Sequence, residues 1–185
     1  MATAFSSLPA VLNPPLPDRE AVIDALYRAC LAWDTNDQSL CDTAFTTDAV
    51  LSLNGQVMTG RDQIAKDGNA LIFTLDTTHL VGNTRVTFTT PSGGDGEQQS
   101  ASITATVMAQ HFVGSKGFDL APESANIPYL MNHNKHLMSG TLYSGDLIKD
   151  STDGLWKFKL LKIKPNWIEG HFSVVGGGPF ASGER

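Results

Sequence analysis

Hydrophobic positions recur at helical spacing along residues 18–34. Val22, Leu26, Cys30 (or Ala29) and Trp33 follow at three- and four-residue steps and make one apolar stripe. Pro17 and Asp18 mark its start, since an aspartate can satisfy the unpaired N–H groups of a first turn. Asn36 and Asp37 then turn the chain into a short second helix with Leu40, Cys41, Ala44 and Phe45 as its inner face. "TTDAVLSLNGQVMTG" reads as a strand, a turn at Asn54-Gly55 and a second short strand. "GRDQIAKDGNALIF" returns to a helical pattern.

From Thr77 onward the pattern is that of strands. "THLVGNTRVTFTT" runs into a Pro-Ser-Gly-Gly-Asp-Gly loop. "SASITATVMAQHFVG" alternates, with Ile103, Ala105, Val107, Ala109, His111 and Val113 on one face and a threonine-rich set on the other. An irregular insert follows over 114–136, then two more strands around 137–149 and 155–169. Helices first and long antiparallel strands afterwards predict an α+β fold, a cone-shaped curved sheet with N-terminal helices enclosing a pocket. The expected layout is an extended arm over 1–17, one domain over 18–172 and a flexible tail over 173–185, unless Phe172 and Phe180 pin that tail down.

Composition narrows the function. The chain has 185 residues, 41% hydrophobic and 17% charged, as for an ordinary globular domain. A net charge of −6 with no basic stripe argues against nucleic acid or an anionic membrane as partner, since both would repel it. Cys30 and Cys41 lack metal-ligand spacing and read as packed free thiols. No stretch has the character of a signal peptide or the roughly 18 apolar residues of a span, so a soluble cytoplasmic protein is expected.

Candidate chemistry centres on His111, which ends an otherwise apolar strand face, and on His79, which begins the preceding strand. Histidine both takes and returns protons near neutrality. Asp34, directly after Trp33 on the inner side of the first helix, is the expected partner that fixes one imidazole's tautomer. His133 and His136 sit in a mixed-polarity loop without firm metal geometry, so no metal is expected there. Arg85 has the same strand parity as His79 and is read as half of a structural ion pair with a carboxylate such as Asp146, with a contact to a substrate oxygen as the alternative. Phe118, Leu120, Ile127, Tyr129, Leu130 and Met131 make the insert apolar enough to cover a pocket mouth or a subunit interface.

"WDTNDQSLCDTAFTTDAVLSL", "THLVGNTRV", "AQHF" and "DGLWKFKLLKIKPNWIEGHF" together resemble the scytalone dehydratase and SnoaL-like cyclase families of the nuclear transport factor 2 superfamily. The resemblance runs from about residue 20 to 172, without the insert and tails. It implies an α+β cone in which Asp34 pairs with a histidine while His79 and His111 flank the substrate. In that family the histidines handle the proton beside a carbonyl and the departing hydroxyl, and two tyrosines polarise the carbonyl through water. Here Trp33 stands in place of the first tyrosine and Leu53 of the second, and the family's pocket asparagine falls near Gly145 or Asp146.

The expected function is therefore a cofactor-free dehydratase, cyclase or isomerase acting through an enol or enolate of a polyketide- or terpenoid-type molecule. Asp34, His79 and His111 are its catalytic residues. Trp33, Leu53, Val107, Tyr129, Met131, Asp146 and Trp167 are the expected substrate contacts. The resemblance implies a homodimer or homotrimer assembled through the outer face of the sheet. Two other readings stay open: an epoxide hydrolase using Asp34, Arg85 and Asp146 as a relay, and a non-catalytic ligand-binding or assembly module of the same fold.

Overall fold

The computed structural model describes residues 7–89, 99–113 and 136–175. Helix α1 spans Asp18–Thr35 and buries Val22, Ala25, Leu26, Ala29, Cys30, Ala32 and Trp33. Fully burying a side chain of leucine size contributes about 1.5–3 kcal/mol, so this face holds the helix to the sheet. Asn36 ends α1 in the left-handed region at φ 58°, which asparagine tolerates better than most residues. Asp37 then caps α2, Gln38–Ala44, by accepting the Leu40 N–H at 2.9 Å. Asp34 thus lies within the last turn of α1, not beyond its end.

Strands β1 (Phe45–Leu53) and β2 (Gln56–Thr59) form the expected hairpin around Asn54-Gly55. A broken helical segment follows, α3 (Arg61–Gln63), a π-helical turn (Ile64–Asn69) and α4 (Ala70–Ile72). The long strands are β3 (Leu75–Phe88), β4 (Ser100–Val113), β5 (His136–Lys149) and β6 (Trp156–Gly170). All six strands join one curved, unclosed sheet in the order β2-β1-β6-β5-β4-β3. Only β1 and β6 pair in parallel. Trp156 and Phe158 are buried in the core.

Two irregularities redirect side chains that alternation alone would misplace. Between Gly82 and Arg85, β3 carries one residue more than β4, and Asn83 there adopts φ 52°. The bulge reverses the parity of everything after it, so Val86 and Phe88 turn inward and Arg85 is exposed on the outer face. Arg85 therefore does not share the face of His79. In β6, Gly140 pairs with Trp167 while Thr141 pairs with Pro165, which leaves Asn166 as the extra residue. Trp167 consequently faces outward, 45% exposed, over Gly140, where an added Cβ would meet the indole nitrogen at 2.2 Å.

The sequence reading placed a flexible tail from 173. Instead Phe172–Val175 form a 3-10 turn, and Val174 and Val175 pack with Leu75 and Leu137. Phe180, Tyr129, Met131 and His133, with the insert over 114–135, lie outside the described residues. No helix among the described residues is long and apolar enough to cross a membrane.

Candidate active site

The last turn of α1 presents Trp33 and Asp34 to the start of β3, and three donors converge on the carboxylate. His79 Nδ1 lies 2.6 Å from Asp34 Oδ1, the His79 backbone N–H donates to Oδ2 at 2.9 Å, and Thr77 Oγ1 donates to Oδ1 at 2.8 Å. Thr77 and His79 share a strand face, so one short stretch of β3 supplies all three. Burial works to raise the Asp34 pKa, but the His79 contacts and the Thr77 hydroxyl outweigh it and hold the carboxyl below its ordinary range. An ionised Asp34 takes the Nδ1–H of His79, which leaves the lone pair of a neutral imidazole on Nε2.

His111 sits beside His79, with ring centroids 5.7 Å apart and planes at 87°. Burial, and then repulsion from His79 when that ring is protonated, push its pKa down to about 4 against the opposing pull of the Leu137 carbonyl and Asp34. It is therefore uncharged near neutrality. Its Nδ1 lies 3.3 Å from the Leu137 carbonyl oxygen, an acceptor only, so Nδ1 is the donor and Nε2 carries the lone pair. The two histidines thus differ in kind: one is anchored on a carboxylate, the other held neutral by burial.

Trp33 packs over His79 at 5.5 Å between ring centroids. Its indole N–H donates to Asn69 Oδ1 at 3.0 Å, and Asn69 Nδ2 donates to Gln38 Oε1 at 3.0 Å and lies 3.2 Å from Cys41 Sγ. Asn69 is the last residue of the π-helical turn and is 1% exposed. An irregular helix thereby fixes an aromatic wall, a recurrent use of π-turns near functional sites.

Above these residues opens a hollow of about 830 Å³, open solvent at its mouth included. Trp33, His79, His111 and Leu53 line it, with Met58, Leu71, Ile72 and Val175 among its apolar walls. Ala109 forms part of its floor, between His79 on β3 and Ser139 on β5 in the sheet register. Ser139, Thr141 and Tyr143 line the β5 side. Thr141 Oγ1 donates to Ser139 Oγ at 3.3 Å. Sequence reasoning passed over these three residues and Asn69. The alternation Leu137, Ser139, Thr141, Tyr143 was a usable signal, but only a known register with β4 sets it opposite His111 and Ala109.

Three expected contacts lie elsewhere. Val107 is fully buried in the core, filled over by its neighbours. Asp146 is exposed on the outer face, where Ser102 Oγ donates to it at 3.1 Å. Trp167 faces outward because of the extra residue in β6. Arg85 and Asp146 on the outer face, with Asp34 inside, do not form an Asp-Arg-Asp relay. Among the described residues no cluster of three or more His, Cys, Asp or Glu side chains is arranged to hold a metal ion.

Comparison with known proteins identifies the family and the fold. The model of the SnoaL-like domain matches residues 14–162. A relative from Penicillium crustosum, terrestric acid biosynthesis cluster protein E, is 39% identical over 173 residues, spanning 94% of this chain and 99% of the relative. A candidate scytalone dehydratase from Novosphingobium aromaticivorans superposes with a TM-score of 0.63 at 19% identity, covering 83% of this chain and 87% of that one. Hexachlorocyclohexane dehydrochlorinase LinA-type3 from Novosphingobium barchaimii gives a TM-score of 0.61 at 15% identity, over 84% and 91% of the two chains. Likenesses at such identities establish the fold alone.

Proposed function

The chain belongs to the SnoaL-like domain family, and we propose that it is an acid/base enzyme of secondary metabolism that moves a proton beside a carbonyl group. The substrate class is a small, largely apolar, ring-bearing molecule of polyketide or terpenoid type. The observation that carries this reading is the His79 imidazole anchored through Nδ1 on the Asp34 carboxylate, within an apolar hollow.

His79 Nε2 takes the proton from the carbon next to the carbonyl, and the electron pair of that C–H bond becomes the new double bond of an enolate. Asp34 stabilises the imidazolium so formed. His79 then returns the proton. Delivered to a β-hydroxyl it releases water, and delivered to another carbon it isomerises the skeleton or closes a ring. His111, neutral and with Nε2 free, accepts a hydrogen bond from a substrate hydroxyl and keeps it near that proton. The relative from a terrestric acid biosynthesis cluster supports a role in making a secondary metabolite. The same reading has copies of the chain associate through the outer face of the sheet, where Leu80, Met108 and Trp167 align across neighbouring strands around Gly140.

The test is hydrogen–deuterium exchange in heavy water on a panel of cyclic β-hydroxy ketones, read by mass spectrometry. Wild type is expected to exchange the α-proton or expel water from at least one member, with the rate lost in His79→Gln. Equal rates in the two proteins across the panel would reject the proposed base.

A further inference from the structure

A base alone does not make an enolate. As the proton leaves, negative charge builds on the carbonyl oxygen, and an apolar hollow must offer hydrogen-bond donors where that charge appears. The donors around the hollow are mostly engaged already. The Nδ1–H of His79 is held by Asp34 and that of His111 by the Leu137 carbonyl. The indole N–H of Trp33 is held by Asn69, whose amide protons face Gln38 and Cys41. Thr141 gives its hydroxyl proton to Ser139. Gln56 lines the mouth but is exposed to water.

Tyr143 and Ser139 remain. Tyr143 is 5% exposed, lines the hollow, and sits in the sheet between Ala105 of β4 and Ile163 of β6. Its hydroxyl has no hydrogen-bond partner among the described residues. The sealed side-chain polar atoms without a partner there are Asp76 Oδ2 and Gln99 Oε1, so the Tyr143 oxygen is not sealed, and Tyr143 is among the residues that line the hollow. Ala109, on the adjoining strand four residues along from Ala105, the partner of Tyr143, lines the same hollow with a side chain too small to fill it. Burial, and then the nearby Cys30 thiol and Asp34 carboxylate, raise the phenol pKa well above its ordinary value, so it stays a neutral donor.

We propose that Tyr143, assisted by Ser139, is the electrophilic half of the site, and that its phenol donates a hydrogen bond to the carbonyl oxygen of the substrate. The inference rests on the proton-abstraction reading above and completes it. The C–H bond breaks, its proton goes to His79 Nε2, and the carbonyl π pair moves onto the oxygen held by Tyr143. When the enolate collapses, the β C–O bond breaks and the hydroxyl leaves as water with the proton from His79. A ketone or conjugated carbonyl is thus the ligand class. Tyr143 reaches the hollow from β5, while Trp33 and Leu53 occupy the positions where the family resemblance implies tyrosines.

The probe is 2-acetylnaphthalene with a 13C label at its carbonyl, a flat ketone with enolisable protons, and naphthalene is the carbonyl-free control. On binding wild type, the infrared carbonyl band should move to lower frequency. Tyr143→Phe should abolish most of that shift and weaken the ketone about three- to ten-fold, the loss of one hydrogen bond, while naphthalene binding changes less than about two-fold. Ser139→Ala should remove a smaller part of the shift, and 3-fluorotyrosine at position 143, a stronger donor, should increase it. A ketone that fails to bind wild type with its band shifted, or a shift that survives in Tyr143→Phe, overturns the assignment. Deuterium exchange at the methyl group of the same probe reports on His79 separately. Lost exchange with an intact shift indicts the base, and the reverse indicts Tyr143.

Discussion

Asp34 grips His79 at two points, its side chain through Nδ1 at 2.6 Å and its backbone N–H at 2.9 Å. A carboxylate that binds both the strand and the ring on that strand fixes the position of the ring as well as its tautomer. Asp34→Asn keeps the shape but gives up the charge that stabilises the imidazolium. Its rate of α-proton exchange is expected to fall about 10²–10⁴-fold with little change in ligand affinity, as measured by exchange kinetics and equilibrium titration.

His111 gives the fold a pH dependence whose sign follows from its environment. Its pKa falls from 6.5 to about 4 on folding, so the unfolded chain binds the extra proton between those values. Stability from this group is complete above pH 6.5 and is lost as pH falls toward 4, by up to about 3 kcal/mol. Asp34, with its lowered pKa, adds a loss of the same sign on further acidification. Urea midpoints between pH 7 and pH 5 should therefore drop more steeply in wild type than in His111→Gln.

Asn69 joins the π-helical turn to Trp33. Asn69→Ala leaves the buried indole N–H without its acceptor and should cost about 1–3 kcal/mol in denaturant unfolding. Because Trp33 packs over His79, the same change should slow proton exchange as well, whereas Gln38→Ala, which is linked to Trp33 through Asn69 and otherwise bonds Asp42, should have the weaker effect.

Much of the fold and part of the site were legible in the sequence, for identifiable reasons. The alternation of Ile103 to His111 survives unbroken in β4, so periodicity put His111 on the inner face. The α1 stripe likewise placed Trp33 and Asp34 toward the sheet. Arg85 and Trp167 were misplaced because a single extra residue at Asn83 or Asn166 inverts the parity beyond it, and neither bulge has a hydrophobic signature. Val107 faces inward as expected of a wall but is packed within the core, because parity does not separate a packed side chain from one at a cavity. Asp146 followed from alignment to a family position and not from a face. As a consequence, Arg85→Ala and Asp146→Asn should leave exchange rates unchanged and move stability by no more than about 0.5 kcal/mol, as checked by kinetics and thermal unfolding.

Leu80 lies opposite Met108 on the outer face, exposed to 66% and 44%. If copies meet there, light scattering on wild type reports a mass above 19.8 kDa, and Leu80→Asp with Met108→Lys returns it to that value. A monomeric wild type would remove this face from the assembly.

The proton on the His79 ring decides most, and it can be read without knowing the substrate. A long-range nitrogen–proton correlation spectrum, recorded at a pH where the His79 ring is neutral and assigned by comparison with His79→Gln, should show the ring protonated at Nδ1 with Nε2 bare, and Asp34→Asn should shift that pattern. A neutral ring protonated at Nε2, or a spectrum unchanged by Asp34→Asn, would contradict Asp34 as the partner of the proposed base.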